Sequence, residues 1–123
     1  MERKVSCIEE NGVIKASPET LLVNPGDTIR WENQLSEAYR ATNFSPQDPP
    51  LFEEEVIEIP AGLPSVPVLV EASPRVGESV EYHYLLEPVN PEMPSVDPVI
   101  VVESPANPPQ SMTVQGQSNT SRL

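Results

Sequence analysis

The chain has 123 residues, enough for one domain of ordinary size and too few for two that each bury a core. Its 16 prolines exclude long helices, since a proline in a helix interior costs roughly 3 kcal/mol. Nineteen acidic against seven basic side chains give a formal charge of −12, which repels phosphate backbones and anionic headgroups and reads as a solubilising surface charge, so neither nucleic acid nor membrane is an expected partner.

The first β-prone runs are Val5 to Ile8 and Val13 to Lys15, and Asn11-Gly12 between them predicts a tight hairpin because both residues tolerate positive φ. Cys7 is the one cysteine, so no intrachain disulfide can form, and Val5 and Ile8 beside it mark a strand thiol. Met1-Glu2-Arg3-Lys4 is followed by no apolar run, and no stretch approaches the ~20 residues of a membrane helix. The expected location is therefore cytoplasmic. Leu21 to Val23 forms the next run. In Asn24-Pro25-Gly26-Asp27, Pro25 presets one turn position and Gly26 supplies the positive φ of a type II turn. Thr28 to Asn33 then alternates, with Ile29 and Trp31 facing a core and Arg30 and Glu32 facing water.

Tyr39 to Phe44 is a further run, and residues 45 to 51 are a loop because three of six residues from Ser45 to Pro50 are prolines without an N–H. Glu55 to Ile59 and Val66 to Glu71 are expected strands, the latter an edge strand because of Pro67. In Val80 to Leu86 the side chains of Val80, Tyr82, Tyr84 and Leu86 point one way and those of Glu81 and His83 the other. A proline-rich loop, Glu87 to Asp97, leads to Val99-Ile100-Val101-Val102, an unbroken β-branched run expected to be a central strand covered on both faces. The domain spans residues 1–103. From Ser104 to Leu123 the chain is a Pro, Ser, Asn and Gln-rich tail, expected to be disordered unless a partner holds it. The fold class is all-β, a Greek-key sandwich of seven to eight strands.

Read in order, these segments resemble the cupredoxins, the blue-copper proteins. Ser17-Pro18-Glu19-Thr20-Leu21-Leu22-Val23 is similar to the family's Pro-x-x-Leu-x-Val strand, Pro25-Gly26-Asp27 to its turn, and Trp31-Glu32-Asn33 to its Trp-x-Asn strand end. Ile57 to Gly62, Gly77 and Tyr82-His83-Tyr84 continue the likeness, which spans most of residues 17 to 102. The resemblance implies a site of two imidazoles, a thiolate and an axial thioether. At the first histidine's place, Gln34 to Ala41 contains no histidine, and Tyr39 falls about where it would stand. In the loop that carries Cys, His and Met in the family, this chain has Leu86, Val89 and Met93. Only the thioether remains, so neither a metal nor another cofactor is expected.

Other candidates read as surface. His83 is a lone imidazole with no second histidine or thiol beside it in sequence, so it suggests neither a metal site nor a nucleophile-base pair. Glu53-Glu54-Glu55 with Glu58 lacks the Asp, Asn and Gly pattern of a calcium loop and reads as a charged strand edge. Asn43-Phe44-Ser45 and Asn119-Thr120-Ser121 fit the glycosylation pattern, Ser121-Arg122-Leu123 a variant peroxisomal address or PDZ ligand, and Pro105 with Pro108 and Pro109 a spacer. The reading is a metal-free binding or interaction module without catalytic activity. Its first candidate surface is the former copper end, with Tyr39, Leu86, Val89 and Met93 as an apolar patch. Alternatives are a structural subunit of a particle or filament whose tail contacts a neighbour, and, behind it, a copper-binding electron carrier. A protein partner or self-assembly is the expected mode of association, and the identity of any small ligand is not legible.

Overall fold

Period-two alternation decides which faces meet. In a computed structural model, which describes residues 1–105, these residues form nine strands and no helix: β1 (Glu2–Glu10), β2 (Val13–Ser17), β3 (Thr20–Val23), β4 (Thr28–Asn33), β5 (Tyr39–Ser45), β6 (Ile57–Ile59), β7 (Val68–Leu69), β8 (Ser79–Pro88) and β9 (Val99–Glu103). One sheet has the order β2-β1-β4-β7 and the other β3-β9-β8-β5-β6. Both are mixed, because β1 runs parallel to β4 and β3 parallel to β9 while the remaining pairs are antiparallel. The hairpin between β1 and β2 turns on Asn11 at φ 53 and Gly12 at φ 80, as its residue types require.

Every second residue of the central strands enters the space between the sheets. Val5 and Cys7 of β1, Ile29 and Trp31 of β4, Tyr82, Tyr84 and Leu86 of β8, and Ile100 and Val102 of β9 are all buried. Trp31 is the anchor. Its indole N–H donates to the Tyr84 hydroxyl at 3.1 Å, so the largest apolar side chain of one sheet is tied to a polar atom of the other. Phe52 and Tyr84 each meet the indole edge-on at 6.0 Å between ring centroids. Phe44 stacks on Tyr84 at 5.3 Å. Such pairs contribute ~0.5–1.5 kcal/mol each beyond the area they bury.

Four expectations are corrected. The run Val99 to Val102 is central in its sheet, but only Ile100 and Val102 are buried while Val99 and Val101 are half-buried, so one face alone is covered. A covering layer such as helices would be needed to bury the second face, and the described residues contain no helix. The strand expected from Glu55 begins at Ile57, because β6 pairs only with Tyr39 to Ala41 and a register shift between Thr42 and Ser45, with Asn43 at φ 58, carries β5 away from it. Glu53 to Glu55 are therefore loop residues and not a strand edge. The strand expected over Val66 to Glu71 contracts to Val68–Leu69, next to Pro67, which has no N–H to donate. With both short edge pieces paired, the strands number nine.

The turn before β4 is closed by a buried carboxylate. Asp27 accepts from the Asn24 N–H at 2.9 Å and from the Arg3 Nε–H at 3.0 Å, while its own N–H donates to the Asn24 carbonyl at 3.1 Å. Gly26 sits at φ 87, as a type II turn demands. Burial works to raise the Asp27 carboxyl, but the Asn24 N–H, Arg3 and the α-amino group outweigh it and hold the group below the usual carboxylate range. A carboxyl lowered in the folded state adds stability above the unfolded value near 3.9 that is lost as the pH falls through the folded value. Asp27→Asn should therefore cost roughly 1–3 kcal/mol in urea unfolding at pH 7. The gap to the wild type should narrow as the pH is lowered from about 5 toward 2; a gap independent of pH would remove this account of the turn.

Candidate functional site

One end of the sandwich is built by two connections, residues 34–38 between β4 and β5 and residues 89–98 between β8 and β9. Asn33, the buried last residue of β4, shapes the first of these. Its Nδ2 donates to the Glu37 carbonyl at 2.7 Å and its Oδ1 accepts from the Leu35 N–H at 2.8 Å. The Gln34 N–H donates to the Cys7 carbonyl at 2.9 Å, which ties the turn to β1. The second connection is fastened at its base by the N–H groups of Leu86 and Val96, each donating to the other's carbonyl at 2.8 and 3.0 Å. The Val89 N–H reaches the Ala38 carbonyl at 3.0 Å and joins the two connections.

The four residues singled out in sequence come to this end at different depths. Tyr39 and Leu86 are each 1% exposed and belong to the core. The Tyr39 hydroxyl donates to the Pro94 carbonyl at 3.1 Å, and burial, with Cys7 and Glu37 nearby, raises its phenol further, so it stays a protonated donor. Val89 is 50% exposed at the surface. Met93 is half-buried and turns toward the sheet of β1, where with Ile8, Ile14 and Leu35 it lines a shallow cavity of about 250 Å³. Glu9 and Glu37 supply carboxylates to the same lining. Ile8, Ile14 and Leu35 were not singled out in the sequence, and the hairpin register, which pairs Glu9 with Ile14 and Ile8 with Lys15, sets the two isoleucines on opposite faces of the ribbon, so alternation gave no signal that both line this cavity.

The donors present do not fit a blue-copper site. Such a site needs thiolate and imidazole converging on one point. The buried Cys7 lies on β1 and points between the sheets, and burial pushes its thiol up to about 11. His83 projects from the opposite face of β8, exposed, with its Nε2 2.8 Å from a Glu81 carboxylate oxygen. The sheet itself stands between them. Among the described residues no three His, Cys, Asp or Glu side chains are grouped as a metal ion would need.

The geometry defines a two-sheet cupredoxin fold, and solved structures agree. Native pseudoazurin from Hyphomicrobium denitrificans superposes with a TM-score of 0.54 at 12% identity, over 85% of this chain and 77% of that one. A purple cupredoxin from Nitrosopumilus maritimus gives 0.53 at 16% identity, over 81% of this chain and 98% of that one. Pseudoazurin from Methylobacterium extorquens AM1 gives 0.52 at 14% identity, over 84% and 76%. No family model and no curated protein matches the sequence. The chain is thus a cupredoxin-like sandwich in fold, at 12 to 16% sequence identity to these structures.

A thiol at about 11 is thiolate to only about one part in a thousand at pH 8. Cys7 should accordingly react with an aromatic disulfide reagent at least about a hundredfold more slowly in the folded protein than in urea. Reaction within about threefold of the unfolded rate would show that the thiol is open to the site.

Proposed function

We propose that the chain is a metal-free cupredoxin-like binding module without catalytic activity, and that its contact surface for a protein partner is the end formed by residues 34–38 and 89–98. The observation that carries this reading is what occupies that end. Positions that hold imidazole and thiolate in the family pattern are filled by the Tyr39 phenol and the Leu86 side chain, both packed inward, and what reaches the surface beside them is Val89 and the cavity lined by Ile8, Ile14, Leu35 and Met93. A concavity that sets these apolar side chains beside the carboxylates of Glu9 and Glu37 is suited to take up a partner side chain. The absence of a catalytic role is supported by the two most reactive side chains: Cys7 is buried and held protonated, and the side-chain partner of His83 among the described residues is the exposed Glu81.

A photo-crosslinking amino acid at Val89, compared with one at the 65% exposed Val76, tests the surface, because β8 separates these positions along its length. Position 89 should yield a discrete adduct in extracts of the native source, competed by unlabelled wild type. A folded Leu35→Glu/Met93→Glu variant should compete at least about tenfold more weakly, since losing a buried apolar contact costs on the order of 1–3 kcal/mol. Identical adducts from both positions, or equal competition by the variant, would remove the loop end as the contact surface.

A further inference from the structure

A second concavity lies away from that end, beside the proline-rich stretch between β5 and β6. It is produced by the way this stretch is pinned. Leu51 and Phe52 are buried, the Leu51 carbonyl accepts from the Glu71 N–H at 2.8 Å, and the Tyr82 hydroxyl donates to the Pro49 carbonyl. The register shift in β5, with Asn43 at φ 58, sets Phe44 against Phe52 edge-on at 5.2 Å. Between the strand and the pinned loop remains a cavity of about 350 Å³, whose apolar lining includes Phe44, Pro46, Pro50 and Phe52.

The charged part of the lining is of one sign. Glu53, Glu54 and Glu55 all line this cavity and are exposed, and among the described residues none of them takes part in a salt bridge. The contrast is with the outer face of β1 and β4, where Lys4 pairs with Glu32 at 3.4 Å and Arg30 with Glu2 at 3.5 Å. Three exposed carboxylates along one rim, without a salt-bridge partner among the described residues, make the local surface negative, and such a surface attracts a cation. An apolar, aromatic lining beside them favours a cation that carries hydrocarbon with it, since Lys and Arg stems pack on apolar surface and their heads are attracted to aromatic faces. A bare metal ion is a poorer fit, because no acidic side chains are grouped as ligands among the described residues.

We infer that this cavity receives a basic segment of a partner protein, with a lysine or arginine at Glu53 to Glu55 and an adjoining apolar side chain against Phe44 and Phe52. The volume accommodates one or two side chains and lies at the small end of ligand pockets. The formal charge of −12 adds long-range attraction for such a segment. This site is independent of the loop end of residues 34–38 and 89–98, and either can fail without the other.

The probe is a blocked hexapeptide of alternating lysine and leucine, titrated into the full chain at low salt and followed by amide chemical shifts. The largest changes should fall on residues 42–44 and 50–56. Glu53→Gln/Glu54→Gln/Glu55→Gln should weaken binding about tenfold, because each exposed pair contributes a few-fold and three are lost together. Glu78→Gln/Glu92→Gln/Glu103→Gln, which changes the net charge equally, should change it by no more than about twofold. A matching glutamate and leucine peptide should not bind. Equal loss in the two triple variants, shifts spread over the acidic surface, binding of the acidic peptide, or no binding of the basic one would each overturn the proposal.

Discussion

One constraint governs the rest of this molecule: the alternation along β8. Tyr82, Tyr84 and Leu86 face inward and are buried, so His83, between two of them, must face outward. The sheet is thereby placed between the chain's single imidazole and its single thiol, which points inward from β1. A slip of β8 by one residue would exchange the faces, but it would also expose two tyrosines and break the bond from the Trp31 indole to the Tyr84 hydroxyl. Breaking that bond would leave a buried donor without a partner, at a cost of about 1–3 kcal/mol. Packing and hydrogen bonding therefore fix the same register, and the register decides the chemistry.

At the loop end, the consequence is a surface closed by local bonds. Asn33 satisfies the turn after β4, the Tyr39 hydroxyl is engaged by the Pro94 carbonyl, and Leu86 and Val96 exchange backbone bonds beneath. The Tyr39 side chain, standing about where the family pattern has its first imidazole, is spent on holding the second connection. What this end offers outward is Val89 and a cavity in which Met93, Leu35, Ile8 and Ile14 stand beside the carboxylates of Glu9 and Glu37. The second concavity, by contrast, combines aromatic lining with carboxylates that form no salt bridge among the described residues. The two surfaces differ in chemistry because one is capped by its own backbone and the other is left open by a pinned loop.

Much of the fold was legible because its signals are local. Asn11-Gly12 and Pro25-Gly26 announce positive φ, and the alternation of Ile29 with Trp31 and of Tyr82 with Tyr84 assigns faces without knowledge of neighbours. What was not legible depends on distant contacts. Nothing near Leu51 and Phe52 in sequence says that a proline-rich loop returns to the core, since their partners are Glu71, Trp31 and Phe44. The shortening of β6 follows from a bulge in β5, and the open outer side of β9 from the lack of a covering layer among the described residues. At the site, the missing imidazole and thiolate could be read directly from residue types. The depth of Tyr39 and Leu86 could not, nor could the grouping of Met93 with residues of β1 and β2.

The account stands on the separation of Cys7 and His83 by a sheet, and copper reports on that separation most directly. With one equivalent of Cu(II) added to the folded chain, the absorption and electron paramagnetic resonance spectra should show only weak surface binding, without the intense visible thiolate-to-copper transition of a blue site. Appearance of that transition, and its loss in Cys7→Ser, would mean that the thiol reaches a metal after all and would contradict the account.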